Sequence, residues 1–361
     1  MNKRIVGLDL LRSIAIINVV AVHLCLIISV IEKKNLLWLP IPDGVDLFFV
    51  LSGFLIGNII IKTFHDNQSD STFKLIRNFW LMRWFRTLPN YYWISFIVFI
   101  LNGFKLPIKN LLFLQNFYKL CANPFPETWS LAVEEWYYLL LPGFIFLMYK
   151  LCKSYLIAFF STVCIFIVVC FCFKLIQYHS TNQHDFSIFL IHTRNIVLAR
   201  LDSIAVGFLG AVIYQYYPKL FFNYKWLKLT IGLVIILVCT IYTNYFCMYK
   251  VIAIGWFGWN FNLLIMSLGI LLLFPFLLEL EIQNKRIMKF ITLTSTISYS
   301  MYLIHKTILL NIMFLIFLRL KTIPIPVFIL CYLILLYLLS YINYHFIEEY
   351  FLKLRYKFIR K

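Results

Sequence analysis

The chain has 361 residues, 62% of them hydrophobic and 13% charged, with a mean hydropathy of +0.85 and a net charge of +18. A water-soluble domain carries about a quarter charged residues, so this much apolar sequence must face lipid, and 37 Phe and 23 Tyr against 12 Gly and 11 Pro exclude low-complexity disorder and a membrane β-barrel. The positive charge does not indicate nucleic-acid binding, because the basic residues are scattered through short loops between apolar runs, where they orient a membrane protein.

Met1-Asn-Lys-Arg precedes an apolar run that continues to Val30, contains Asp9 and Arg12 and lacks a small-residue cleavage site, so it reads as a retained first span rather than a signal peptide. Further spans are expected near 44–62, 88–104, 130–149, 155–173, 199–217, 229–246, 252–278, 297–318 and 325–347, which with 8–30 makes about ten. The weakest is 88–104. The run 252–278 is long enough to tilt or break near Gly258, and 109–119 is too short to span and reads as re-entrant or interfacial. Neither an internal repeat nor a linker is evident. The expectation is an all-α polytopic bundle, a single transmembrane domain over 1–361.

With the N-terminus placed in the cytoplasm, 20 of the 33 Lys and Arg fall on the cytoplasmic side and 11 on the other, with Arg12 and Lys306 inside spans. That asymmetry predicts both termini inside and an even number of spans. The nine Cys show no metal-site spacing backed by His, and no metal is expected.

Ionisable groups at lipid depth cost several kcal/mol and by default mark function. Spans three, five, seven and eight contain none. The exceptions are Asp9, Arg12 and His23 in span one, Asp46 in span two, Glu134 and Glu135 in span four, Arg200 and Asp202 opening span six, and His305 and Lys306 in span nine. Arg12 and His23 are eleven residues apart, which returns them to nearly one helix face about 16 Å apart. A lone His could simply hydrogen-bond a neighbouring helix; the shared face with Arg12 favours function. Arg83 and Arg86 are helical neighbours suited to one polyanion, with Arg77 two turns earlier; anchoring to lipid headgroups competes with that reading. Pro124-Phe-Pro-Glu-Thr-Trp129-Ser130 leads into Glu134 and Glu135, of which one is expected to face the interior, and an ion pair with Arg200 is the structural alternative. His305, beside Ser298, Tyr299 and Tyr302, fits a site residue or a packing hydrogen bond.

Taken together these blocks resemble the membrane-bound acyltransferase-3 family, the O-acetyltransferases of bacterial surface polysaccharides. Leu8-Asp9-Leu-Leu-Arg12 with Val22-His23 resembles its first span, and Gly44-Val-Asp46-Leu-Phe-Phe-Val-Leu-Ser52-Gly53-Phe-Leu-Ile-Gly57 its second. Arg83-x-x-Arg86-x-x-Pro89-x-Tyr91, Trp129-Ser130-Leu-Ala-Val-Glu134, Arg200-Leu-Asp202-Ser-Ile-Ala-Val-Gly207, Ile297-Ser-Tyr-Ser-Met-Tyr-Leu-Ile-His305 and His345-Phe-Ile-Glu348 follow in the family's order. Leu10 and Ser13 stand where the family often has Gly. The family often carries an extracytoplasmic esterase-like domain, which is not expected here.

The resemblance implies a bacterial inner-membrane enzyme that moves an acyl group, acetyl by family habit, from cytoplasmic acetyl-CoA to a hydroxyl of an exported carbohydrate. His23 would act as general base or transient acyl carrier, Arg12 would steer the donor or hold a carboxylate, and Glu134 would orient acceptor or imidazole. Arg83 and Arg86 would bind the donor. A flippase or transporter of lipid-linked sugars is the alternative, although it would more often show repeated halves. The acceptor and the oligomeric state are not legible.

Overall fold

The computed structural model describes residues 4–33, 41–66, 72–182, 185–247, 253–320 and 323–359, and no β-strand occurs among them. Ten long helical segments form the bundle: α1 (Val6–Glu32), α2 (Gly44–Asp66), α3 (Thr72–Leu101), α4 (Trp129–Cys152), α5 (Tyr155–Ser180), α6 (Val197–Tyr216), α7 (Lys225–Thr240), α8 (Trp256–Leu271), α9 (Lys285–Ile304) and α10 (Ile325–Asn343). The last two continue through π-helical turns, His305–Leu310 and Tyr344–Glu348, into Asn311–Leu320 and Glu349–Ile359.

Nine of these segments are long and apolar enough to cross a membrane, α3 being the exception. Its first half carries Lys74, Arg77, Arg83 and Arg86, which dilute an otherwise apolar 30-residue helix. At 1.5 Å per residue α3 is nevertheless about 45 Å long. Parity identifies it as the tenth crossing. Ile5 and Arg12 line the same cavity as Arg83 and Arg86, and the ring of Phe85 stacks on that of Phe358 at 5.2 Å. Both ends of the described chain therefore lie at one end of the bundle, which requires an even number of crossings. The protein is a multi-pass membrane protein with all-α architecture.

The segment after α3, expected to be re-entrant or interfacial, folds back against the bundle. Tyr91 donates to the Asn110 carbonyl at 2.6 Å, and Gln115 and Asn116 are buried, with Asn116 donating to the Trp129 and Asn195 carbonyls. Gly258 lies inside an unbroken α8, packed under the Tyr242 ring, so the expected break there does not occur. The chain instead breaks at Leu272 and Leu273, before a short helix Phe274–Leu278 that begins with Pro275 at its second position.

Helices α2 and α6 form the tightest pair in the bundle, because glycine lets their backbones touch. A β-carbon on Gly53 would run into the Ile204 carbonyl, and one on Gly207 into the Val50 carbonyl. Small residues at such crossings are how helices associate in lipid, where no hydrophobic driving force acts between them. Asp46 is held from this same interface by Arg200, which is wholly buried and lies 5.2 Å over the Phe49 ring. On the other face of α6, Asp202 pairs with Lys174 of α5, both buried. The expected span 155–173 is free of charge, but α5 runs on past the end of that apolar run and brings Lys174 into the bundle.

Candidate functional site: two cavities back to back

The first cavity, of about 400 Å³, opens among α1, α2, α3, α4 and α9. Lys62, Arg83, Arg86 and Arg12 bring four cationic side chains to it, against one carboxylate, Glu134. Ser52 donates to Glu134 Oε1 and Tyr138 to Oε2, both at 3.0 Å, so each carboxylate oxygen is held by one hydrogen bond. Arg83 lies 5.0 Å over the Tyr138 ring, which fixes the guanidinium by a cation–π contact. Arg77 is exposed and not among the lining residues, so the patch is smaller than the sequence suggested.

The second cavity, of about 350 Å³, opens toward the other end of the bundle and is lined by His23, Asp43, Glu127, Trp129, Arg194 and Lys306 among others. Arg194 pairs with Asp43 and lies 4.9 Å over the Trp129 ring. Burial works against ionisation of Asp43, but the adjacent guanidinium holds its carboxyl below the usual carboxylate range. Glu127 accepts from the Thr307 amide at 2.8 Å and from the Thr307 hydroxyl at 2.7 Å.

His23 projects into this cavity from α1 with its tautomer defined by neighbours. Its Nδ1 lies 2.9 Å from the Val19 carbonyl, which can only accept, so Nδ1 carries the proton. His305 Nδ1 likewise donates to the Tyr302 carbonyl at 2.7 Å, which leaves its Nε2 to accept. That Nε2 sits 3.3 Å from His23 Nδ1, with the rings edge-to-face at 4.9 Å. The lone pair of His23 is thereby left on Nε2. His305 is wholly buried behind His23 and is not a lining residue.

The sequence candidates therefore divide into three groups. Arg12, Arg83, Arg86, Glu134 and Ser130 come together at the first cavity; His23 belongs to the second, with His305 behind it and Asp46 at its edge. Arg12 and His23 share a helix face yet face different cavities. Asp9, Arg200 and Asp202 do not reach either cavity as lining residues. Asp9 accepts from Arg4 and, at 2.7 Å, from Ser295, while Arg200 pairs with Asp46 and not with Glu134. Both adjacent carboxylates lie inside the bundle, contrary to the expectation that one would: Glu134 faces the cavity and Glu135 is buried against Thr87 of α3. Ser13, where the resembled family often has Gly, uses its hydroxyl to reach the Asp9 and Ile291 carbonyls at 2.9 Å.

Sequence reasoning missed Glu127, Asp43, Arg194 and Lys174. An acid between Pro126 and Trp129 reads as solvated loop, and only its position immediately before an apolar helix hints otherwise. A buried network at the end of α10, in which Glu348 accepts from Ser300 and Asn90, and Asn343 donates to both Asn90 and Ser300, gives the closing Glu348 a place beside α3.

A lipid-embedded helical bundle with two largely apolar cavities that each hold charged side chains, and with a tautomer-locked imidazole in one of them, defines a class of membrane proteins built for chemistry at depth. The chain belongs to the acyltransferase-3 family: the family described as "Acyltransferase domain" matches residues 5–345. It is 32% identical over 175 residues to the peptidoglycan O-acetyltransferase OatA of Listeria monocytogenes, a stretch that covers 42% of this chain and 26% of that protein. It is 30% identical over 160 residues to the O-acetyltransferase OatA of Staphylococcus aureus, covering 38% and 24%, and 34% identical over 145 residues to an uncharacterized protein of Haemophilus influenzae, covering 34% and 57%. The matched stretch is thus about a quarter of the two named acetyltransferases. No solved structure matches the chain.

Proposed function

We propose that the protein is a bacterial inner-membrane O-acyltransferase that takes an acetyl group from acetyl-CoA in the first cavity and delivers it to a carbohydrate hydroxyl in the second. The observation that carries this reading is the back-to-back placement of a cation-rich cavity and a cavity holding an imidazole with a free Nε2 lone pair. Coenzyme A is a polyanion, and guanidiniums bind phosphate by charge-assisted, bidentate hydrogen bonds. The first cavity lies at the bundle end that bears most of the basic residues, in keeping with a cytoplasmic face and with both termini inside. The second cavity offers paired charges and Trp129, a setting suited to sugar hydroxyls and ring faces; the named acetyltransferase relatives make cell-wall glycan the first acceptor to test.

His23 Nε2 takes the proton of the acceptor hydroxyl as its oxygen bonds to the thioester carbonyl carbon. The C–S bond then breaks, and the departing sulfur receives the proton from the imidazolium, leaving a free thiol and an ester. The Val19 carbonyl and the His305 ring hold His23 in the orientation this requires. In a two-step transfer the same nitrogen would first carry the acyl group, and rapid quenching for an acyl-imidazole separates the two routes.

The test is thiol release by purified, reconstituted protein given acetyl-CoA and peptidoglycan fragments or other surface glycan. Release that depends on glycan, with acetyl ester on the product, is expected. Movement of lipid-linked sugar without any thiol release would replace the enzyme by a flippase.

A further inference from the structure

The two cavities meet without merging, and the polar side chain between them is Tyr302. Of the residues that line them, Tyr302 and Val45 alone are common to both. The Tyr302 hydroxyl donates to the Glu127 carbonyl at 2.7 Å, and because its proton is used there, the 2.6 Å contact with Ser130 is one in which Ser130 donates. Ser130 lines the first cavity and Glu127 the second, so the phenol is bolted to a residue on each side of the wall. Its ring meets Phe48 edge-on at 6.4 Å and His305 at 5.6 Å. Three residues further on, α9 passes into the π-helical turn His305–Leu310, a departure from α-helical pairing that is frequent at functional sites.

A thioester waiting in the first cavity is exposed to a competing reaction. Water can add its oxygen to the carbonyl carbon with loss of the C–S bond, giving free acid and free thiol. A continuous passage would admit that water from the second cavity and would also join the two sides of the membrane. We propose that Tyr302 is the partition that decides between water and carbohydrate as acyl acceptor. It keeps the cavities apart until the acyl arm displaces the phenol from Ser130 and the Glu127 carbonyl, directly in front of the His23–His305 pair. This assignment rests on the donor and acceptor placement proposed above.

Side-specific labelling tests the partition without acyl chemistry. In full-length protein reconstituted with one orientation and with its native cysteines replaced, Ser52→Cys reports the first cavity and Asn18→Cys the second, using a membrane-impermeant methanethiosulfonate reagent. With Tyr302 present, each cysteine is expected to react at least tenfold faster from its own side. In Tyr302→Ala that preference falls below threefold, and in Tyr302→Phe, which keeps the ring and loses both hydrogen bonds, it takes an intermediate value. Tyr302→Phe carries the test should the alanine variant not fold. One-sided labelling that persists in folded variants, or two-sided labelling in the parent, overturns the partition. With acetyl-CoA as the sole substrate, both variants are expected to release thiol at least tenfold faster than the parent. Absence of thiol release from every protein, the parent with glycan included, removes the acyl role of Tyr302 together with the proposed function, while the labelling still decides whether Tyr302 separates the cavities.

Discussion

His23 and His305, 282 residues apart in the chain, bring Nδ1 and Nε2 within 3.3 Å of each other, each ring already tied to a main-chain carbonyl of its own helix. The pair joins α1 to α9 at the edge of the second cavity. It makes His305 the positioning partner and His23 the ring with an open nitrogen.

His23→Ala is expected to abolish transfer, by about 10²- to 10⁴-fold, while donor binding and the amount of protein in the membrane stay unchanged. His305→Ala keeps the reacting nitrogen but loosens it, and a misplaced base costs up to about 10²-fold. Thiol release at saturating acetyl-CoA, read beside donor binding by equilibrium dialysis, checks both. Full turnover by His23→Ala sinks the role given to that ring.

Arg86→Ala removes one charge-assisted contact, valued at about 1.5–3 kcal/mol, so the donor concentration for half-maximal rate should rise about 10- to 100-fold with a smaller change in the maximal rate. Arg77→Ala, outside the cavity, should leave it unmoved. An unaltered donor requirement in Arg86→Ala, with less protein in the membrane, would make Arg86 an anchor.

Arg200→Ala leaves Asp46 buried without its cation, which costs about 3–5 kcal/mol, whereas Asp46→Leu combined with Arg200→Met removes both charges and should recover most of that loss. Thermal unfolding of the detergent-solubilised proteins measures the difference. Equal midpoints for the single and double variants would show that the pair is not coupled.

Gly207→Leu should separate α2 from α6, because its side chain would run into the backbone of α2 at the Val50 carbonyl and the Phe54 amide. Overpacking of this kind costs about 1–3 kcal/mol or more. A lower unfolding midpoint is expected, with the same change at Gly143, where a β-carbon meets nothing within 4 Å, having little effect.

The helices were legible because lipid imposes a length and an apolar composition on each, and α3 was faint because its first half carries Lys74, Arg77, Arg83 and Arg86 and its second half includes Pro89 and Asn90. Arg12, His23, Glu134 and the Arg83–Arg86 pair stood out because charge at lipid depth is expensive. Their partners did not. Asp46 and Arg200 are 154 residues apart, Asp43 and Arg194 are 151 apart, and no local periodicity encodes such a meeting. Tyr302, read only as a neighbour of His305, turns out to bond Ser130 of the first cavity and Glu127 of the second. Lys174 escaped because hydropathy fades within α5 before the helix ends.

The distance along the chain between Asp46 and Arg200 also bears on biosynthesis. When α2 leaves the ribosome its carboxylate has no counter-ion, and none exists until α6 has been made. The second segment must then wait at the translocon or in a provisional association, entering lipid for good only when the sixth arrives with its guanidinium and its glycine. A chain interrupted before Arg200 should therefore leave α2 poorly inserted and open to quality-control proteases.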